Sequence, residues 1–361
     1  MATSMIARGF RTLQNFARNK IVVWKCPLTT NVRSVFLSTN KASNSFHQTS
    51  LDGRQASVVF GVLAAVGVTM VDKDAKENIK TEILELMERG KKRSFGGRRV
   101  DNSLLETAKK TAERALRKGE ISEEERDIVV VLANKYIGEK YLELGIIDKA
   151  EAAFVEAMEV YKKLGVSKYD DASMELILRL TNCFALSGRE VEARDSFDMI
   201  IDTQLRKIQD STTRCPLSTY QILWATLQLY GRFLVLNKDY DEAENMFVIA
   251  DDVMQKASGE FANGRQHILT DLAGVQIVKK DLTAAETTFE KAIKIGEKGK
   301  SPDLCFTYCY MADLATRMDN IKKATKMCNK GLSLAKDSGN KECLQKAELC
   351  LEKIREAKEK R

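Results

Sequence analysis

Two histidines and eight cysteines are the residues of this chain best suited to acid–base, nucleophilic or metal chemistry. Their placement argues against all three. His47 falls in an acid-free leader, which leaves His267 as the one imidazole in the body of the chain. One imidazole cannot furnish a histidine-rich metal site, and no serine or cysteine stands where its sequence neighbours pair a nucleophile with a base. His267 is expected to line a groove or the surface, not to act as a general base. Cys305 and Cys309 lie one helical turn apart, but no second pair has zinc-ligand spacing and no histidine stands near. Gly96 and Gly97 lack the Lys-Ser/Thr and the preceding strand of a phosphate loop. The expectation is a protein without catalytic residues, cofactor or metal. Cys26 lies in the leader, leaving Cys183, Cys215, Cys305, Cys309, Cys328, Cys343 and Cys350. In a helical chain of this size they are expected to be buried, reduced thiols and not a disulfide framework.

The elements that must carry these residues announce themselves by repetition. A triplet of the form Ala-x₃-aromatic-x₂-small begins at Ala150 (with Phe154 and Ala157), Ala193 (Phe197, Ile200), Ala243 (Phe247, Ala250) and Ala285 (Phe289, Ala292). A variant begins at Ala324, with Cys328 and Gly331 in the later places. The triplets recur at roughly 40-residue intervals, a period in the range of helical-hairpin repeats, with the longest step between Ala193 and Ala243. Gly138, with Tyr141 and Gly145 after it, precedes the first triplet, and Gly231 stands at the matching place before Ala243. Small residues there let two helices approach closely, and the aromatic fills the space between one hairpin and the next. Such a unit buries its face only by stacking on a neighbour, the logic of the tetratricopeptide repeat. The expected fold is therefore an all-α tetratricopeptide-repeat solenoid over residues 76–339, closed by a C-terminal capping helix over 340–361. Ala108, Ala112 and Ala115 echo the triplet, so 79–88 and 104–118 are expected to form an atypical first hairpin, joined by a basic, solvated linker over 89–99. Polar turn formers and Pro216 mark 209–220 as a loop or a helix extension.

Charge separates the leader from the repeats. The chain carries 58 Lys and Arg against 51 Asp and Glu, a net +7. Seven of the basic residues, Arg8, Arg11, Arg18, Lys20, Lys25, Arg33 and Lys41, precede the first acid, Asp52. The remainder balances to zero and gives no support to nucleic-acid binding. An acid-free, Arg- and Ser-rich segment with an apolar stripe of Ile6, Phe10, Leu13 and Ala17 is expected to be a mitochondrial transit peptide over 1–51, the competing possibility being a basic tail. Residues 56–71 are uncharged and apolar all round. Their helix would reach about 24 Å, short of a hydrocarbon core of about 30 Å. A short inner-membrane span is preferred to a packed terminal helix or a second targeting element. By the positive-inside rule the balance of flanking charge leans slightly to repeats in the intermembrane space.

The leader, the apolar segment, the lengthened hairpins and the terminal helix together resemble the mitochondrial tetratricopeptide repeat protein nineteen family. The stretches GRFLVLNKDYDEAENMF (231–247) and QHILTDLAGVQIVKKD (266–281) carry the likeness most clearly, and the basic insertion at 89–99 departs from it. The resemblance implies a non-catalytic inner-membrane factor that binds respiratory complex III and helps clear N-terminal fragments of its Rieske iron–sulfur subunit. Two other classes share the repeat: peptide or chaperone receptors, and trafficking adaptors of kinesin-light-chain type. Groove-facing positions counted from the triplets are Lys135, Glu139, Asn182, Arg232 and Asp313, with His267 beside them. Acidic Glu139 stands where a carboxylate clamp needs Asn, and a cytosolic adaptor leaves the leader unexplained.

Overall fold

The computed structural model describes residues 73–92, 102–211, 215–256, 262–301 and 303–359. The leader with His47 and Cys26, the segment 56–71 and the Gly96–Gly97 pair lie outside the described residues. Within them the chain is all-α, as its periodicity requires. Thirteen helices follow in order: α1 (Lys73–Lys92), α2 (Ser103–Arg117), α3 (Glu123–Glu143), α4 (Ile147–Lys163), α5 (Asp171–Leu186), α6 (Glu190–Asp210), α7 (Leu217–Leu236), α8 (Tyr240–Lys256), α9 (Ala262–Val278), α10 (Leu282–Gly299), α11 (Leu304–Arg317), α12 (Ile321–Ser338) and α13 (Lys341–Glu359). Successive helices pack as hairpins, and two compact units separate within α7, after Phe233.

Each hairpin with a triplet turns in the same way. A residue with left-handed backbone stands five places before the triplet alanine: Gly145 (φ 71°), Gly188 (76°), Lys238 (70°), Lys280 (67°) and Asp319 (62°). The next residue donates its N–H to the carbonyl five back, as in Ile146 to Tyr141 (2.8 Å), Arg189 to Phe184 (3.0 Å), Asp239 to Leu234 (2.9 Å), Asp281 to Gln276 (2.9 Å) and Asn320 to Ala315 (2.8 Å). This satisfies a carbonyl that the end of the first helix leaves without a partner. The second helix is then capped where the sequence allows. Asp281 accepts from the Ala284 N–H at 3.0 Å and Asn320 from Lys323 at 3.0 Å. Earlier, Ser122 and Glu125 close a reciprocal capping box on α3.

In the first unit, Ala150, Phe154 and Ala157 pack with Val131 of α3 and with Leu176 and Cys183 of α5. Gly138 lies so close to the Phe154 ring that an added Cβ would stand 2.6 Å from its edge. Phe197 stacks on Tyr230 of α7 with centroids 4.8 Å apart and meets Phe233 at 5.9 Å. Tyr141 is half-buried, beneath the Lys149 ammonium, and Gly231 is buried. In the second unit, Ala285 and Phe289 pack with Ala273 of α9 and with Tyr310, Met311 and Leu314 of α11. Phe154, Phe197, Phe247 and Phe289 are among the largest fully buried side chains, and Ala193, Ala243 and Ala324 have no exposed surface.

Two sequence expectations need correction. The first helix runs on to Lys92, so the opening residues of the supposed basic linker are helical. Gly90 does not stop it because it serves a close contact: an added Cβ would meet Leu105 Cδ2 at 2.8 Å. Between 209 and 220, where a loop or a helix extension is expected, α6 continues to Asp210 and α7 starts at Leu217. Most consequentially, Cys305 and Cys343 are not reduced thiols but a disulfide that joins α11 to α13. Cys183, Cys215, Cys309, Cys328 and Cys350 are free and buried.

The repeated turn makes a direct prediction. Lys280 carries a Cβ in a backbone region that favours glycine, whereas a Cβ at Gly145 would meet nothing within 4 Å. Lys280→Gly is therefore expected to gain about 0.5–1 kcal/mol, and Gly145→Ala to lose about 1–2 kcal/mol, through backbone conformation alone. Urea denaturation checks both. Equal midpoints for wild type and Gly145→Ala would show that the turn does not set the hairpin geometry.

Candidate functional site

The first helices of consecutive hairpins carry the expected groove positions. On α3, Lys135 and Glu139 are one turn apart and share a face. On α5, one repeat further along the chain, Glu175 and Arg179 keep that spacing with the charges reversed. The helices bring the two pairs together. Lys135 Nζ lies 2.7 Å from Glu175, Arg179 lies 3.0 Å from Glu139, and Arg179 also approaches Glu175 at 3.8 Å. Lys135 and Arg179 are buried, so two cations and two carboxylates form a largely dehydrated, self-neutralising square. Burial works against the Lys135 ammonium, but Glu175 and then Glu139 outweigh it and hold its pKa above the ordinary lysine value. Asn182, half-buried, continues the same face of α5 two turns beyond Glu175.

A second polar cluster fixes the start of α5. The Asp171 carboxylate accepts from Lys207 of α6 at 2.5 Å and from Ser218 and Thr219 of α7 at 2.5 Å and 2.8 Å. Burial opposes its charge, but the Lys207, Ser218 and Thr219 hydrogen bonds prevail and lower the pKa. Arg232, further along α7, is buried.

In the other unit, His267 Nε2 lies 3.4 Å from Asp303. Beside them a buried hydrogen-bond group links Ser301 to Gln266 at 2.7 Å and Thr270 to Thr307 at 3.0 Å. Asp313 faces α13, with Lys346 at 3.8 Å and Lys353 at 4.0 Å. Here burial prevails over the two lysines, and the carboxyl pKa is raised. The expected groove residues thus fall in two places: Lys135, Glu139, Asn182 and Arg232 in one unit, His267 and Asp313 in the other.

Sequence reasoning did not single out Glu175, Arg179, Asp171 or Lys207. The first two carried a signal, since K-x₃-E followed one repeat later by E-x₃-R is a complementary pattern. Asp171 and Lys207 carried none, because their meeting depends on where α6 ends. For chemistry the arrangement offers little. Burial pushes the Cys183 thiol up to about 12, which keeps it protonated and poorly nucleophilic. Among the described residues no group of three or more His, Cys, Asp and Glu is placed to hold a metal ion. No described helix is long and apolar enough to cross a membrane.

No family model matches the chain. Among curated proteins it is similar to mouse tetratricopeptide repeat protein 19, mitochondrial, with 22% identity over 219 residues, 59% of this chain and 58% of that protein. The human protein of the same name is 21% identical over 220 residues, 59% of this chain and 56% of its own. The matched region thus spans less than two thirds of these relatives. Among solved structures, apo RapI superposes with a TM-score of 0.55 at 12% identity, over 88% of this chain and 80% of that one. A Rap protein complexed with competence and sporulation factor gives 0.55 at 10%, over 88% and 80%. Aspartyl phosphate phosphatase F from Bacillus subtilis gives 0.53 at 13%, over 91% and 81%. At such identities these structures speak for the fold alone.

The two carboxylates predict opposite pH behaviour. Asp171 has a lowered pKa, so its contribution is present above the unfolded pKa and fades as pH falls through the folded one. Asp313 has a raised pKa, so its cost is present above the folded value and disappears below the unfolded one. Asp171→Asn is therefore expected to destabilise, and Asp313→Asn to stabilise, at neutral pH, with both differences shrinking in acid. Urea midpoints at neutral and acidic pH test this, and a pH-independent difference for either variant would refute its assignment. By its fold this chain is a tetratricopeptide-like helical repeat, with distant similarity to mitochondrial tetratricopeptide repeat protein 19.

Proposed function

We propose that the chain is a non-catalytic protein-binding factor of the mitochondrial inner membrane. It associates with respiratory complex III and supports it by helping to clear N-terminal fragments of the Rieske subunit. The observation that carries this reading is the likeness, across 219 residues, to a protein named as mitochondrial. The acid-free leader ahead of Asp52 supports the same compartment independently. Residues 56–71 supply the membrane anchor, with the repeats leaning to the intermembrane-space side.

The polar face supports a protein partner rather than a reaction. Its cations are committed to carboxylates, Lys135 to Glu175 and Arg179 to Glu139. A free C-terminal carboxylate would have to displace one of them, which disfavours a carboxylate-clamp receptor. A folded partner, contacting many residues at once, does not depend on a single open cation. His267 lies beside Asp303.

Quantitative co-purification from detergent-solubilised mitochondria tests the proposal. The full chain is expected to enrich complex III subunits over a mock purification, and its loss to let Rieske N-terminal fragments accumulate. Sequencing the endogenous N-terminus is expected to show a start beyond most of the leader. Absence of complex III enrichment, with unchanged Rieske fragments, would overturn the assignment.

A further inference from the structure

Five cysteines converge where α11, α12 and α13 pack, and only two of them are bonded. Cys305 of α11 is joined to Cys343 of α13. Cys309 follows Cys305 by one turn, and Cys350 follows Cys343 by two, so both lie further along the same pair of helices. Cys309, Cys328 and Cys350 belong to one buried cluster with Ala312, Ala324, Ala347 and Ile354. Cys350 Sγ lies 3.9 Å from the Cys309 carbonyl oxygen. The Cys328 thiol, on α12, donates instead to the Ala347 carbonyl at 3.4 Å.

The three thiols are chemically unequal. The Cys309 and Cys328 side chains, with help from the Lys346 and Lys353 ammonium groups, favour the Cys350 thiolate and lower its pKa against the opposing effect of burial. The neighbouring Cys350 side chain, followed by burial, raises the pKa of Cys309 and Cys328. Three thiols thus share one buried cluster beside an existing disulfide, a setting suited to thiol–disulfide exchange.

We propose that Cys309 and Cys350 are a second, oxidisable pair, converted by a disulfide donor such as glutathione disulfide into a further cross-link between α11 and α13. In the first step the Cys350 thiolate attacks one glutathione sulfur, forming a mixed disulfide and releasing glutathione thiolate. In the second, Cys309 loses its proton and attacks the Cys350 sulfur, forming the Cys309–Cys350 bond and releasing the second glutathione. Two thiols are oxidised and one glutathione disulfide is reduced to two glutathiones, which take up both protons. Because the thiols are buried, the donor enters when the second half of α13 lifts from α11 and α12. Cys305–Cys343, at the start of α13, keeps that helix tethered and returns Cys350 to Cys309. Cys309 is the resolving thiol and not Cys328, because it lies on the helix already bridged to α13.

The full chain, incubated with glutathione disulfide, alkylated and mapped by mass spectrometry without reduction, tests this. A peptide linking Cys309 to Cys350 is expected, with the two alkylation sites lost together while Cys328 stays alkylated. Alkylation of all three residues, a stable glutathione adduct on Cys350, or a link from Cys350 to Cys328 would each overturn the pairing. Cys328→Ala is expected to form the cross-link as wild type does, and Cys309→Ser to stop at the glutathione adduct. Should either variant fail to fold, the wild-type map decides alone.

Discussion

A fully buried alanine, held five residues after a left-handed turn, sets where the two helices of a hairpin meet. The turn fixes the end of the first helix, because its N–H groups satisfy carbonyls that helix leaves open. The fixed interval then places the alanine against the first helix, where only a small side chain fits. One turn on, the aromatic stands at the seam with the next hairpin, as Phe289 does between α9, α10 and α11. Gly138 shows how little tolerance remains: no side chain could stand there without entering the Phe154 ring. Burying each such ring contributes about 1.5–3 kcal/mol, and the gain exists only when the neighbouring hairpin is present.

The polar face follows from that seam. Once the rings hold α3 and α5 in register, positions one repeat apart in sequence face each other, and Lys135 meets Glu175 as Glu139 meets Arg179. Opposite order of charge on the two helices makes the fit attractive. Slipping one helix by a turn would set like charges together, so the square specifies register even if its net stabilisation is small. It also makes this face nearly neutral.

Much of this was legible in the sequence because the residues that do the packing are of unusual type for their position. Alanine and phenylalanine at fixed spacing report close approach and buried volume directly. The turns were less legible. Gly145 and Gly188 advertise left-handed backbone, but Lys238, Lys280 and Asp319 adopt it because the two packed helices impose it, against their own preference. The basic run from 89 misled in the opposite sense, reading as a linker while α1 continues through it and Gly90 packs against Leu105. The Asp171 cluster depends on how far α6 extends, which local composition did not reveal. The disulfide was hidden for a related reason, since a separation of 38 residues becomes a contact only through the stacking of α11 beside α13.

That disulfide sits where the repeat chemistry changes. In the triplet of α12 the aromatic is replaced by Cys328 and the second small residue by Gly331, so the α11–α12 hairpin offers its neighbour less apolar volume than the others do. Gly331 brings α12 close enough to α11 that an added Cβ would stand 3.1 Å from the Cys305 carbonyl and from Cys309 Sγ. A seam that narrow has no room for a phenyl ring, but it can hold sulfur. Closing a 38-residue loop stabilises by about 4 kcal/mol in the chain-entropy account, comparable to what burying one or two aromatic rings supplies elsewhere. Covalent closure thus takes over, between α11 and α13, the role that a phenylalanine plays at the other seams, and it holds without demanding the volume that a ring must fill.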